Sequence, residues 1–157
     1  MKQIIIPLII VINNISFAQT QDNFEDGNFN LNPPWAGNIS DWTITDGQLQ
    51  LNASTAGVSY LSTISSSMEE TTWEFWLKMD FNPSGSNYVK VYLVSDQQDL
   101  SQPLNGYFVL IGNTEDEISL YVQQGSEAIK IIDGIDDRVD MDPVTSKIKV
   151  TRDKIGN

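Results

Sequence analysis

The side chains available for chemistry in this 157-residue chain are carboxylates, hydroxyls, amides, a few cations and aromatic rings. The sequence contains neither cysteine nor histidine. Their absence excludes Ser-His-Asp and Cys-His nucleophilic catalysis, proton shuttling by histidine, and zinc, haem or iron–sulfur sites built on Cys and His. Carboxylates are therefore the only candidate catalysts.

The spacing of the carboxylates does not favour glycoside hydrolysis. Glu74 and Asp80 share one predicted strand, but six residues of extended chain separate them by about 20 Å, too far for a retaining or an inverting pair. Glu115 and Glu117 have a suitable spacing, but with Asp116 they begin in a turn, where adjacent acids typically form a solvated loop. We expect the protein not to be an enzyme.

Several aromatic and polar side chains alternate with apolar ones along the predicted strands. If these strands share one sheet, the side chains would line its open face, where sugars could lie on the rings and bond to the polar groups. The alternative is that Trp76 packs under a loop and that the tyrosines only cover a sheet surface. The candidate glycan-binding residues are Trp76, Lys78, Lys90, Tyr92, Tyr121 and Gln123, with Ser119 beside them.

The charge balance restricts the partners. The chain has 21 Asp and Glu against 9 Lys and Arg, a formal charge of −12. Such a surface repels phosphate backbones and anionic lipids, so nucleic acid is not an expected partner. Divalent cations and neutral glycans are better suited to it.

The N-terminus has the features of a secretory signal peptide. Lys2 provides a positive start, residues 4–12 are an almost unbroken apolar run, and Ser16 and Ala18 are small residues before a cleavage point. The run is too short for a spanning helix. We predict a signal peptide over residues 1–18, a secreted or cell-surface protein, and no membrane insertion after cleavage. Without cysteine, its stability must come from a packed core, and bound metal is a candidate second source.

The remaining sequence predicts strands and turns. A β-hairpin is indicated by Trp42 and Ile44, the turn residues Asp46-Gly47, and the resumed alternation after them. Further strands are predicted at residues 73–81, 88–94, 106–111, 117–123, 128–132 and 147–151. This pattern is typical of an all-β, antiparallel two-sheet sandwich or barrel, in a single domain over residues 19–157.

The last predicted strand is followed by turn-like residues. No returning strand follows residues 152–157, and an unpaired edge is costly. We expect that the final strand or strands are missing and that the chain is a module of a longer polypeptide with downstream domains.

Eight segments of the chain carry a family resemblance through their sequence and their order. They are residues 24–29, 32–37, 40–52, 59–63, 73–76, 92–96, 104–107 and 150–153. In this order they resemble the N-terminal modules of secreted Bacteroidota proteins. These modules are similar to concanavalin A-like jelly-roll lectin and glucanase domains, and they often precede a lamin-tail domain and a type IX sorting domain. The resemblance implies a concanavalin A-like jelly roll.

Jelly rolls of this kind often hold a structural calcium ion near the first strand. Glu25, Asp26 and Asn28 would supply hard oxygen ligands at short spacing there. A second acidic segment lacks the ligand order of an EF-hand and is interpreted as a solvated loop. Its acids are Asp133, Asp136, Asp137, Asp140 and Asp142.

The sequence thus favours a non-catalytic extracellular recognition module that binds glycans or cell-surface material. The alternative is a structural spacer without a ligand, and a carboxylate-dependent glycoside hydrolase ranks third.

Overall fold

A computed structural model of the chain describes residues 20–65 and 70–153. The predicted signal peptide lies outside the described residues, so its sequence interpretation stays a prediction. In the described part, the chain forms antiparallel strands and one short 3-10 helix at Ile39–Asp41. No helix within it is long and apolar enough to cross a membrane.

The described residues contain ten strands. They are β1 (Trp35–Gly37), β2 (Trp42–Thr45), β3 (Gln48–Leu51), β4 (Leu61–Thr63), β5 (Thr71–Met79), β6 (Val89–Ser95), β7 (Leu104–Gly112), β8 (Glu117–Gly125), β9 (Glu127–Ile132) and β10 (Val144–Arg152). The all-β prediction is therefore confirmed. Eight strands match predicted ones, with bounds that differ by a few residues, whereas β1 and β4 were not predicted.

The strands pair in four antiparallel sheets. β6, β7, β8 and β9 form a four-stranded sheet in sequence order, and β5 pairs with β10. The N-terminal strands form two small ribbons, β1 with β4 and β2 with β3. The arrangement is consistent with a β-sandwich.

The predicted hairpin is present in its predicted register. Trp42 pairs with Leu51, and the turn lies at Asp46 and Gly47. Both turn residues have positive φ, 52° and 70°. This conformation matches the twist of the flanking strands, and glycine adopts it without a steric penalty.

The main core lies between the β5–β10 pair and the four-stranded sheet. Met79 of β5 and Ile148 of β10 pack with Val109 and Ile111 of β7, and Ile111 is fully buried. Side chains along β5 alternate between the core and the outer face, as the sequence predicts. The two layers therefore bury one face of each sheet.

The opposite face of the four-stranded sheet is also partly buried. Leu104 and Phe108 are each 1% exposed and point away from the side of β7 that carries Val109 and Ile111. A strand buried on both faces needs a continuous apolar run instead of an alternating one. Residues 108–111, Phe-Val-Leu-Ile, provide this run, and all four are buried.

Residues 133–143 join β9 to β10 as an anchored loop. Val139 is 2% exposed within the core, and its backbone N–H donates to the Asp116 carbonyl at 2.8 Å. The five aspartate side chains of this segment are exposed, as expected for solvated acids. The backbone of the loop is nevertheless part of the packed structure.

Candidate functional site

The predicted glycan-binding residues lie on two different outer faces. β5 is not part of the four-stranded sheet, so the condition that all these strands share one sheet is not met. Trp76 and Lys78 alternate with the core residues Phe75 and Leu77, whereas Tyr92 alternates with the core residue Leu93 of β6. The core therefore separates Trp76 and Lys78 from the other four candidates.

A line of side chains crosses the four-stranded sheet on its outer side. Tyr92 of β6 pairs with Phe108 of β7, Phe108 with Tyr121 of β8, and Tyr121 with Lys130 of β9. The ring centroids of Tyr92 and Phe108 are 5.1 Å apart at a tilt of 45°. Phe108 and Tyr121 are stacked at 5.2 Å with an interplanar angle of 3°. Cross-strand register and ring stacking thus fix three aromatic rings in one row.

Polar groups are fixed around this row. The Tyr92 hydroxyl donates to Gln123 Oε1 at 2.6 Å, and Gln123 Nε2 donates to the Gly125 carbonyl at 2.9 Å. Lys90 Nζ lies 4.8 Å from the centroid of the Phe108 ring, within range of a cation–π interaction. We call the surface formed by Lys90, Tyr92, Phe108, Tyr121 and Gln123 the aromatic face.

Burial shifts the pKa values of three side chains on the aromatic face. It raises the pKa of the Tyr92 and Tyr121 hydroxyls above the ordinary value of 10.0. Both phenols therefore stay neutral and retain their protons at physiological pH. Burial also lowers the pKa of the Lys90 ammonium.

Lys130 joins the aromatic face to a cluster of acids that sequence reasoning missed. Its ammonium lies 2.7 Å from Glu115, 2.5 Å from Glu117 and 2.7 Å from Asp133. The alternation of residues 128–132 places Lys130 on the same side as Tyr121, so its position could have been inferred. Its three partners could not, because they come from a turn, another strand and a loop.

The electrostatics of this cluster favour the ionised form of Glu117. Burial by itself would raise the pKa of Glu117, but hydrogen bonds from Lys130 and Ser119 outweigh it and hold that pKa below its ordinary value. Glu115 and Glu117 therefore converge on one ammonium as partners of an ion pair.

The same cluster anchors the loop that follows β9. The Gly134 N–H lies 3.2 Å from Glu117 Oε2 and 2.8 Å from Ser119 Oγ, and both oxygens accept from it. A Cβ on Gly134 would lie 2.6 Å from the Ile118 carbonyl oxygen, which explains why glycine occupies this position. The contacts of Glu117 and Ser119 therefore fix the position of the loop backbone at Gly134.

Glu74 and Asp80, which the sequence analysis places too far apart for a catalytic pair, are each paired with a lysine. Glu74 lies 2.7 Å from Lys147, and Asp80 lies 2.7 Å from Lys78. Both are exposed ion pairs on the outer face of β5 and β10. Such pairs contribute little because solvent screens them.

Two of the predicted calcium ligands, Asp26 and Asn28, accept hydrogen bonds from neighbouring residues of their own segment. Asp26 accepts from the Asn28 backbone at 3.1 Å and from its side-chain amide at 2.7 Å. Asn28 Oδ1 in turn accepts from the backbone of Asn30 and Leu31, while Glu25 is exposed. Within residues 20–65 and 70–153, no three acidic side chains are grouped as a metal site. The oxygens of Asp26 and Asn28 thus have hydrogen-bond donors within their own segment, and calcium stays a prediction.

Trp35 and Trp42 have structural partners. The Trp35 indole donates to Asp22 Oδ2 at 2.8 Å, and its ring lies 6.0 Å from that of Phe24. The Trp42 indole donates to Ser59 Oγ at 3.1 Å. Both rings are half-buried, and these contacts give each tryptophan a structural role.

Comparisons of this chain with family models, with curated proteins and with solved structures gave no match. The resemblance to the modules of secreted Bacteroidota proteins therefore stays a prediction.

Proposed function

We propose that this chain is a non-catalytic extracellular recognition module that binds glycans or cell-surface material through its aromatic face. The observation that supports this most is the row of Tyr92, Phe108 and Tyr121 across three neighbouring strands, at centroid spacings of 5.1 and 5.2 Å. Rings held on a rigid sheet need no ordering when a ligand arrives, which favours binding.

The chemistry of the aromatic face suits sugars. Tyr92 and Tyr121 are partly exposed and offer apolar ring surface to sugar C–H groups, and Lys90 is exposed beside them. The Tyr121 hydroxyl and the Lys90 ammonium would donate to sugar hydroxyls or carboxylates, whereas the Tyr92 hydroxyl, whose proton goes to Gln123, would accept. Gln123 holds the Tyr92 hydroxyl in place, so we assign it a positioning role.

The wider context belongs to the same proposal. The sandwich would be a concanavalin A-like jelly roll, exported by the signal peptide and followed by further domains of a larger protein. Support for these points comes from the N-terminal sequence and from the resemblance described above.

A structural spacer is the second candidate. It is favoured by the burial of Phe108, which is 1% exposed, and by the use of the Gln123 amide in internal hydrogen bonds. In that case the rings would stabilise the sheet and contact no ligand.

Polysaccharide pull-down and a glycan array test the proposal with three proteins. Wild type is compared with Tyr121→Ala, on the aromatic face, and with Trp76→Ala, on the opposite outer face, where Trp76 is 49% exposed. We expect Tyr121→Ala to weaken binding about five- to tenfold and Trp76→Ala to leave it unchanged. Circular dichroism verifies that both variants are folded.

The outcomes separate the candidates. Loss only in Trp76→Ala would move the site to the outer face of β5 and β10. If wild type binds nothing on the array or in the pull-down, the spacer is the better explanation.

A further inference from the structure

Lys90 and Lys130 both lie on the outer side of the four-stranded sheet, but their electrostatic surroundings differ. The Lys130 ammonium is paired with three carboxylates. Among residues 20–65 and 70–153, Lys90 forms no ion pair, and its ammonium contacts the Phe108 ring instead. Within this part of the chain, the aromatic face therefore carries an ammonium that has no counterion.

The Lys90 ammonium is held beside the rings of the aromatic face. Its Nζ lies 4.8 Å from the Phe108 centroid, and Tyr92 and Tyr121 flank the same ring. A sugar that lies on either tyrosine would therefore bring its ring substituents to this ammonium. Burial lowers the pKa of Lys90, as expected for an ammonium that loses hydrating water without gaining a carboxylate. An anionic group on the ligand would supply the missing partner.

The other end of the aromatic row has the opposite charge. Beside Tyr121, three carboxylates and the single ammonium of Lys130 leave a net charge of −2. Three strand spacings separate β6 from β9, so the backbones of Lys90 and Lys130 are about 14 Å apart across the sheet. A glycan with an anion on every sugar would be attracted at one end and repelled at the other. The charge pattern thus favours an acidic sugar next to a neutral one.

The charge of the whole chain favours the same kind of glycan. At a formal charge of −12, the protein repels densely charged polyanions at long range. An isolated carboxylate on an otherwise neutral polymer meets much less repulsion. A carboxylate is also more basic than a sulfate ester, which makes it the stronger acceptor for a charge-assisted hydrogen bond from an ammonium.

We propose that the aromatic face selects glycans that carry isolated uronic acid residues. The uronate carboxylate accepts from the Lys90 ammonium, and the adjoining neutral sugar lies toward Tyr121 and the acids around Lys130. This inference rests on the glycan binding proposed above and adds the chemical class of the glycan. Lys90 is accordingly the residue that determines specificity.

Affinity gel electrophoresis of the full chain tests the proposal. The probes are glucuronoxylan and gellan, two polysaccharides that carry isolated glucuronic acids on different backbones. Each is used in its native form and after reduction of its carboxyl groups to alcohols. We expect wild type to bind the native form of at least one of them about tenfold more tightly than the reduced form.

Three variants assign the preference to Lys90. Lys90→Met removes the charge but keeps an apolar stem, so it should weaken binding of the native form about tenfold and leave the reduced form unchanged. Lys90→Arg keeps the charge and should retain the preference. Lys149→Met is the matched control, because Lys149 is exposed on the outer face of β10 and its replacement changes the net charge equally. Circular dichroism verifies that all three variants are folded.

The outcomes distinguish this inference from the proposed function. Equal binding of native and reduced forms by wild type would overturn the inference and leave glycan binding intact. So would a preference that survives in Lys90→Met, or an equal loss in Lys149→Met. Tighter binding of polygalacturonate or carrageenan than of either native probe would also overturn it, because these polymers are densely charged or sulfated. No binding of any polysaccharide would overturn both the inference and the proposed function.

Discussion

The ammonium of Lys130 lies 2.5 Å from Oε1 of Glu117, and the Glu117 side chain is only 2% exposed. Lys130 belongs to the edge strand β9, whereas Glu117 begins β8 and faces the loop after β9 through Gly134. One ion pair therefore joins a strand edge, a neighbouring strand and the loop that carries Val139 into the core. A buried charge is tolerated when it is paired and hydrogen-bonded in this way.

Removing the cation should destabilise the protein more than removing any exposed lysine. Lys130→Met leaves the Glu117 carboxylate buried without its ammonium, so we expect a fall of several degrees in the thermal midpoint. Lys147→Met is the control, because Lys147 pairs with exposed Glu74 and its loss should have little effect. Equal midpoints for the two variants would show that the Lys130 cluster is not structural.

The same pair predicts loss of stability in acid. Lys130 and Ser119 hold the pKa of Glu117 below its ordinary value of 4.5. A lowered carboxyl pKa stabilises the fold above the ordinary value, and this contribution is lost as pH falls through the folded-state pKa. We therefore expect the thermal midpoints of wild type and Glu117→Gln to differ most near neutral pH and to converge progressively as the pH falls below 4.5. Parallel curves over this range would contradict this assignment.

The hydroxyl of Tyr92 should stabilise the aromatic face. Tyr92→Phe keeps the ring on Phe108 but leaves Gln123 Oε1 without its donor at 2.6 Å. A cost of about 1 kcal/mol is expected in urea unfolding. In a double-mutant cycle with Gln123→Ala, the effects of the two changes should not add. Full additivity would mean that the hydrogen bond does not contribute.

Calcium binding at the N-terminal residues has a direct thermal test. If Glu25, Asp26 and Asn28 hold the ion, millimolar calcium raises the thermal midpoint and EDTA lowers it, because a ligand that binds only the folded state stabilises it. Asp26→Asn should remove the response, whereas Asp80→Asn, on the far end of β5, should keep it. An unchanged midpoint in wild type ends the calcium hypothesis.

Local chemistry made the hairpin and β5 predictable. Asp46-Gly47 accepts positive φ, and alternation along β5 separates core from outer residues without any tertiary information. Alternation does not say which layer a strand joins, however. For this reason the sequence predicts a shared surface for Trp76 and Tyr92 only on the condition that their strands form one sheet, and the core in fact separates them. The Lys130 cluster could not be predicted from the sequence either, since the partners of Lys130 meet only after the strands and the loop have packed.

The loop of residues 133–143 packs into the core, although its acidic sequence predicts a solvated segment. Its five aspartates indicated a solvated segment, but Val139 within it is 2% exposed and packs in the main core. Val139→Ala should cost about 2 kcal/mol in urea unfolding through lost burial and the cavity left behind. Ile135→Ala is the matched control in the same loop, because Ile135 is 75% exposed and its truncation should be neutral. Equal effects of the two changes would show that the loop is not anchored in the core.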